Sequence, residues 1–166
     1  MENYKKKLRL LLFEECNRQC PGCCNRDWNL TDLDVCENYT EYDLIMLTGG
    51  EPMLHPELIR QAVSEIRNET DAPIILYTAL VKGLEDIIPL IDGVTVTLHD
   101  KNDIEPFLDF ATDTEILENK LLRLNVFKEV GSIDVLENWT VKDSIEWIKD
   151  CPLPKNEVFL RYKAKI

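Results

Sequence analysis

The sequence predicts an α/β fold: an open, partial barrel of about six parallel strands. Short apolar runs recur along the chain, and several are near-continuous, which is typical of strands buried on both faces of a parallel sheet. Segments with helical periodicity lie between these runs. At roughly 30 residues per strand–helix unit, the chain is too short for a closed eight-unit barrel. Residues 1–166 are therefore expected to form a single domain.

Six apolar runs are predicted to be strands, and they lie at residues 8–13, 44–47, 74–77, 94–98, 121–127 and 158–162. The clearest predicted helix covers residues 56–68, because Pro56 suits a helix start and apolar residues follow at helical spacing. Weaker patterns predict helices at residues 84–90, 104–111 and 141–149. Residues 25–42 are too polar for either pattern and are expected to be largely loop.

Charge and hydropathy exclude several classes of function. The formal net charge is -12, so an acidic surface would repel phosphate backbones, and general nucleic-acid binding is not expected. No apolar run approaches the roughly 20 residues needed to span a bilayer. The first run is short and is followed by Glu14 and Glu15, unlike a signal peptide. A cytoplasmic protein without membrane association is expected, with its six cysteines as thiolates for metal or redox chemistry.

Three of these cysteines form a compact motif. Cys16, Cys20 and Cys23 have the spacing CxxxCxxC, and Pro21 and Gly22 allow the loop between them to bend sharply. Soft thiolates on one short loop can converge on an iron–sulfur cluster or on zinc. A four-iron, four-sulfur (4Fe-4S) cluster held by three cysteines keeps one iron open for an external ligand, as catalytic metal sites require.

The alternative interpretation is a structural zinc site, with Cys24, Cys36 or His55 as the fourth ligand. Zinc sites usually contain paired C-x-x-C units, and the sequence has no second pair, which favours the cluster. Cys24 is adjacent to the third cysteine and is predicted not to be a ligand. Cys36 and Cys151 are interpreted as small buried apolar residues, and His55 as a cap or surface residue.

The cysteine spacing resembles the signature of the radical S-adenosylmethionine (SAM) superfamily. A second segment, Gly49-Gly50-Glu51, resembles the GGE motif that binds the SAM amino group in that family. The resemblance implies a 4Fe-4S cluster on Cys16, Cys20 and Cys23 as the catalytic centre, and reductive cleavage of SAM to a 5′-deoxyadenosyl radical. A glycine pair permits close approach, and backbone oxygens with a carboxylate suit an ammonium ion.

Other polar residues are predicted to lie at the carboxyl ends of the later strands, the edge where α/β barrels place their active sites. Thr78 and Asn125 are expected to contact SAM on this basis, and Thr97 and Arg123 are further candidates. His99, which is followed by Asp100, could be either a core histidine or a substrate contact. The three tryptophans are interpreted as packing residues, with Trp28 the best candidate to line the site.

Within the superfamily, the sequence around Cys20-Pro21-Gly22-Cys23 most resembles that of the small activating enzymes of anaerobic ribonucleotide reductase. That resemblance implies hydrogen abstraction from a glycyl-radical protein and an electron donor such as flavodoxin or ferredoxin. The chain departs from those enzymes in having Glu51 where many have aspartate. Two alternatives stay open: a radical SAM enzyme acting on a small molecule or nucleobase precursor, and a non-catalytic iron–sulfur or zinc module.

Overall fold

The computed structural model describes residues 4–15, 30–135, 137–146 and 153–163. These residues contain one open sheet of seven parallel strands, in the order β6-β5-β4-β3-β2-β1-β7. The strands are β1 (Lys7–Leu11), β2 (Leu44–Thr48), β3 (Ile74–Thr78), β4 (Gly93–Leu98), β5 (Leu121–Phe127), β6 (Thr140–Ile145) and β7 (Glu157–Arg161). The α/β class is confirmed, and the open parallel sheet is compatible with a partial barrel, with one strand more than predicted.

Two helices in the described part of the chain cover one face of this sheet. Helix α1 (Pro56–Arg67) follows the prediction closely, and helix α2 (Ile104–Ala111) matches it. The buried side chains of both helices form one apolar cluster with every second side chain of the strands. The cluster includes Ile59, Val63 and Phe107 from the helices and Leu10, Leu47, Leu76 and Val96 from the strands. Neither described helix combines the length and the apolar character that crossing a bilayer requires.

The helix predicted over residues 84–90 is wrong. The chain instead forms two short 3-10 turns, Leu84–Asp86 and Ile88–Leu90. Pro89 has no backbone N–H group, and its ring would collide with a carbonyl four residues earlier in an α-helix. Apolar spacing alone predicted a helix here, but the proline prevents one from continuing.

The helix predicted over residues 141–149 is also wrong where it can be compared. Residues 141–145 belong to strand β6, which pairs in parallel with β5, and residues 147–149 lie outside the described residues. Five of the six side chains in β6 are exposed, so this edge strand lacks the apolar run by which the other strands were recognised.

Strand β7 returns to the opposite side of the sheet and pairs with β1. Its outer edge is partly covered by the chain between β1 and β2. The Arg161 backbone N–H donates to Asp34 O and the Arg161 carbonyl accepts from Cys36 N, both at 2.8 Å. The Arg161 side chain also donates to Leu33 O. These bonds satisfy backbone groups that an open sheet edge would otherwise expose.

The sheet face opposite the helices carries the remaining strand positions. It is apolar at Leu44, Met46 and Ile75, where Tyr4 and Tyr77 pack against it. Leu11 and Phe159 on the same face form a second apolar cluster with Leu30. Other positions carry half-buried polar side chains, which are Lys7, Arg9, Thr97, Arg123 and Asn125. We call this surface the polar face.

Candidate functional site

The three predicted cluster ligands, Cys16, Cys20 and Cys23, lie outside the described residues. The segment that leads to them is described as far as Glu15, and it runs beside the glycine segment. Leu12 N donates to Thr48 O at 2.9 Å, Gly50 N donates to Phe13 O at 2.9 Å, and Glu51 N donates to Glu15 O at 2.8 Å. The chain entering the cysteine motif is therefore hydrogen-bonded to the GGE-like segment.

Gly50 is required by this close approach of two backbones. A Cβ atom at Gly50 would lie 1.9 Å from the Glu15 carbonyl oxygen and 2.3 Å from that of Glu14, distances that no side chain can occupy. A Cβ atom at Gly49 would meet the Phe13 carbonyl oxygen at 3.1 Å, which is tight but less severe. The glycine pair thus has a packing role that is independent of any ligand.

Glu51 is 3% exposed, and its carboxylate binds donors of the protein itself. One oxygen accepts from Met53 N at 2.8 Å and from the Thr78 hydroxyl at 2.7 Å. The other oxygen accepts from Ala79 N at 2.7 Å. Three donors at these distances stabilise a buried carboxylate and hold it in place. A direct contact between this carboxylate and an ammonium group of SAM stays a prediction.

Thr78 joins the ends of two neighbouring strands. The residue is 5% exposed. Its hydroxyl donates to Glu51 and also accepts from Leu80 N at 3.0 Å. The prediction that residues at the carboxyl ends of β2 and β3 lie close together is confirmed for this pair. The structure thereby brings four predicted residues, Gly49, Gly50, Glu51 and Thr78, to the edge from which the cysteine motif departs.

His55 ties the start of α1 to the same edge. Its Nε2 lies 3.2 Å from Glu15 Oε1, its Nδ1 lies 3.3 Å from Glu57 Oε1, and its ring meets the Phe13 ring edge-on. The hydrogen bond to Glu15 is the main cause that raises the pKa of His55. His55 is a surface residue, as predicted, but its side chain makes no capping bond to the helix.

Asn125 is positioned differently from Thr78. It pairs in register with Thr97 on β4 and Lys142 on β6, and it is half-buried on the polar face. Thr78 lies two strands away, at a position that alternates with the polar face. The two predicted SAM contacts are therefore on different faces of the sheet by strand alternation.

His99 and Asp100 follow the end of β4, as the sequence predicted. The His99 ring stacks on Phe127 with centroids 5.1 Å apart, and its backbone N–H donates to the Asp103 carboxylate at 2.8 Å. The Asp100 side chain caps the 3-10 turn before α2, reciprocally with Asp103. Asp100 is therefore a structural cap, while the stacking leaves both interpretations of His99 open.

Two interpretations of buried residues are confirmed. Cys36 is 6% exposed within the main apolar cluster, and burial raises the pKa of its thiol. Trp139 is 5% exposed and packs edge-on against Phe107 and Phe110. Trp28, Trp147, Cys24 and Cys151 lie outside the described residues. Among the residues that the structure describes, no three histidine, cysteine or acidic side chains gather as a metal site.

Sequence reasoning missed the charged centre of the polar face. Glu157 is 8% exposed, and its carboxylate lies 2.8 Å from the Arg9 guanidinium and 3.9 Å from the Lys7 ammonium. From the sequence alone, the basic residues Lys5, Lys6, Lys7 and Arg9 are interpreted as a solvated lead-in to the first strand. Lys7 and Arg9 instead belong to β1. Their alternation with apolar residues along β1 was the available signal, since every second strand position faces the same side.

Models of known protein families give no match to this chain, and a search of curated proteins also finds no match.

Proposed function

We propose that this protein is a radical SAM enzyme, in which Cys16, Cys20 and Cys23 hold a 4Fe-4S cluster. The observation that carries the proposal is the pairing of residues 12–15 with residues 48–51. The four residues that precede Cys16 lie beside the glycine segment at the carboxyl edge of a parallel sheet, where α/β enzymes bind their ligands.

The donor set fits the proposed cluster. Three thiolates suit iron, and the fourth iron position is then available to the amino and carboxylate groups of SAM. A cluster held by Cys16, Cys20 and Cys23 would supply the one electron that reductive cleavage of SAM to methionine and a 5′-deoxyadenosyl radical requires. The protein binds and orients SAM and keeps water away from the reaction.

Glu51 and Thr78 act as positioning residues in this proposal. The Glu51 carboxylate fixes the chain on both sides of it through Met53 N, Ala79 N and the Thr78 hydroxyl. A rigid turn after Gly50 keeps backbone carbonyls of the glycine segment in place for the SAM amino group. The ammonium would then be held mainly by backbone oxygens, with the buried carboxylate supplying negative charge nearby.

Two substrate classes are compatible with this proposal. The sequence around Cys20-Pro21-Gly22-Cys23 favours a protein substrate, as in the activating enzymes of anaerobic ribonucleotide reductase, with flavodoxin or ferredoxin as electron donor. The polar side chains on β4 and β5, at Thr95, Thr97, Arg123 and Asn125, favour a small polar substrate instead. A small substrate needs such a lining, whereas a glycine on a protein loop does not, so the second class has the support of a structural observation.

The test is anaerobic reconstitution with iron and sulfide, reduction, and measurement of 5′-deoxyadenosine and methionine formed from SAM. The proposal expects about four irons per chain and both products in equal amounts. Single replacement of Cys16, Cys20 or Cys23 by alanine should abolish both the iron binding and the formation of these products. Cys24→Ala and Cys36→Ala are the matched controls and should retain the cluster. About one zinc per chain and no iron uptake would overturn the proposal in favour of a structural metal site.

A further inference from the structure

A cavity of about 660 Å³ opens on the helix side of the sheet, between the turn that follows β3 and helix α2. Its apolar lining is continuous with the main apolar cluster. Five lining residues belong to that cluster or pack against it, and they are Leu80, Val81, Leu98, Phe110 and Ile116. The volume lies within the range of about 300–1,000 Å³ that is typical of sites for small-molecule ligands.

The wall of this cavity that follows β3 is fixed by hydrogen bonds to buried groups. Ala79 N donates to the Glu51 carboxylate at 2.7 Å, and Leu80 N donates to the Thr78 hydroxyl at 3.0 Å. Gly83 has a φ of 82°, a left-handed conformation that glycine adopts without strain. Because the wall is held in place by the protein itself, a ligand that enters need not order it, and binding costs less.

The polar residues that line the cavity are mostly acidic. Glu85 on the turn and Asp103, Asp109 and Asp113 on the α2 side contribute four carboxylates, and Lys82 is the only cation among the described lining residues. Glu85, Asp109 and Asp113 are exposed, whereas Asp103 is half-buried and accepts two backbone N–H groups. The charge around the apolar lining therefore complements a positively charged ligand.

The same charges disfavour the other occupants of an apolar cavity. An anion would meet like charge on both walls. A second copy of this chain would also bring a net charge of -12 towards an acidic surface, and the two would repel each other.

We propose that this cavity binds a small organic cation with an apolar body, such as an arylalkylamine. The apolar body packs against Leu98 and Phe110, and the ammonium group donates to the carboxylates of Asp109 and Asp113. The cavity lies on the opposite side of the sheet from the polar face, and its lining contains none of the cysteines. The site is therefore independent of the proposed cluster.

Nuclear magnetic resonance titration of the full-length chain, without cluster or SAM, tests this site. Phenethylamine, 2-phenylethanol and 3-phenylpropionate share one apolar body and differ in charge, while methylamine has the charge without the body. We expect phenethylamine to shift the methyl signals of Leu80, Leu98 and Ile116 in a saturable way. The alcohol should bind more weakly than the amine, and the carboxylate and methylamine should bind weakest.

Charge variants of exposed residues separate the site from a general attraction of cations. Asp109→Asn should weaken phenethylamine binding about two- to fivefold and leave 2-phenylethanol binding unchanged. Lys82→Gln should strengthen phenethylamine binding by a similar factor. Asp71→Asn removes an equal charge beyond the amino end of β3, outside the cavity, and should bind like the unchanged protein.

Equal affinity for the amine, the alcohol and the carboxylate would overturn the site, as would equal amine affinity in all variants or no saturable shift of the lining methyl signals. Shifts of the same signals with protein concentration alone would identify a second copy as the occupant. Competition by SAM would assign the cavity to the proposed SAM site instead. Amine binding to a chain that takes up no iron would support the site and count against the proposed function alone.

Discussion

The Thr78 hydroxyl donates a hydrogen bond of 2.7 Å to the carboxylate of Glu51, and this bond connects the carboxyl ends of β3 and β2. Both groups are buried, and the same carboxylate also accepts two backbone N–H groups. Because a buried carboxylate without its donors is costly, this contact fixes the shape of the turn after the glycine pair. The turn is the part of the described structure on which the proposed SAM site depends.

Replacing Thr78 by valine should destabilise the protein and weaken SAM binding together. The variant keeps the shape of the side chain but removes one donor to Glu51, at a cost of about 1–3 kcal/mol in the free energy of unfolding. Urea unfolding measures the loss, and Thr78→Ser, which retains the hydroxyl, is the control. A valine variant as stable as the serine variant would show that the hydrogen bond contributes nothing.

The two glycines should differ in their tolerance of alanine. Gly50→Ala forces a Cβ atom into the Glu14 and Glu15 backbone and should cost about 3 kcal/mol, with loss of cluster retention. Gly49→Ala meets only the Phe13 carbonyl oxygen and should cost about 1 kcal/mol. Thermal unfolding and iron content after reconstitution measure both effects. Equal behaviour of the two variants would contradict the close backbone approach at Gly50.

The ion pair between Arg9 and Glu157 should show strong coupling in a double-mutant cycle. Arg9→Met alone leaves a buried carboxylate with only Lys7 at 3.9 Å, which should cost about 3 kcal/mol of folding free energy. The double variant Arg9→Met/Glu157→Gln should recover much of that loss, because the charge that needed a partner is gone. Additive effects of the two replacements would mean that the pair does not interact.

Three buried tyrosines should make the protein unstable at high pH. Burial raises the pKa of Tyr39, Tyr42 and Tyr162 well above the usual value of about 10. A group whose pKa is higher in the folded state stabilises it fully below the unfolded pKa and loses that contribution as the pH rises further. The free energy of unfolding should therefore fall from about pH 10 upward.

Absorbance at the tyrosinate band provides the check on this prediction. These three phenols should stay protonated where a free tyrosine ionises, and should ionise only as the far-ultraviolet circular dichroism signal is lost. Tyr162→Phe removes the hydroxyl that donates to Glu65, and the corresponding late ionisation should disappear. Complete ionisation of all tyrosines near pH 10 in folded protein would contradict their burial.

The sequence predicted those features of the fold that leave an apolar signal. Six of the seven strands were visible as apolar runs, whereas β6 carries polar, exposed side chains such as Lys142 and Asp143 and was mistaken for a helix. The turns around Pro89 show the opposite error, in which helical apolar spacing outweighed a residue that cannot continue a helix.

The sequence predicted which edge of the sheet carries the candidate site, but not the hydrogen bonds within it. Strand-end position correctly brought Thr78 to the glycine segment, because parallel strands end at one edge. The Glu51 carboxylate accepts hydrogen bonds from Met53, Ala79 and Thr78 because of the way the two turns approach each other. No local sequence pattern encodes that approach. The Arg9–Glu157 pair joins residues far apart in sequence, and only the addition of β7 beside β1 brings them into contact.

The most direct measurement of the central claim is electron–nuclear double resonance on the reduced, reconstituted protein with SAM labelled in its amino nitrogen and carboxylate carbon. If Cys16, Cys20 and Cys23 leave one iron open, both labels should show hyperfine coupling to the cluster, and Cys36→Ala should leave the spectrum unchanged. Absence of coupling from a cluster that is fully assembled, with a protein side chain on every iron, would contradict the assignment of SAM chemistry to this chain.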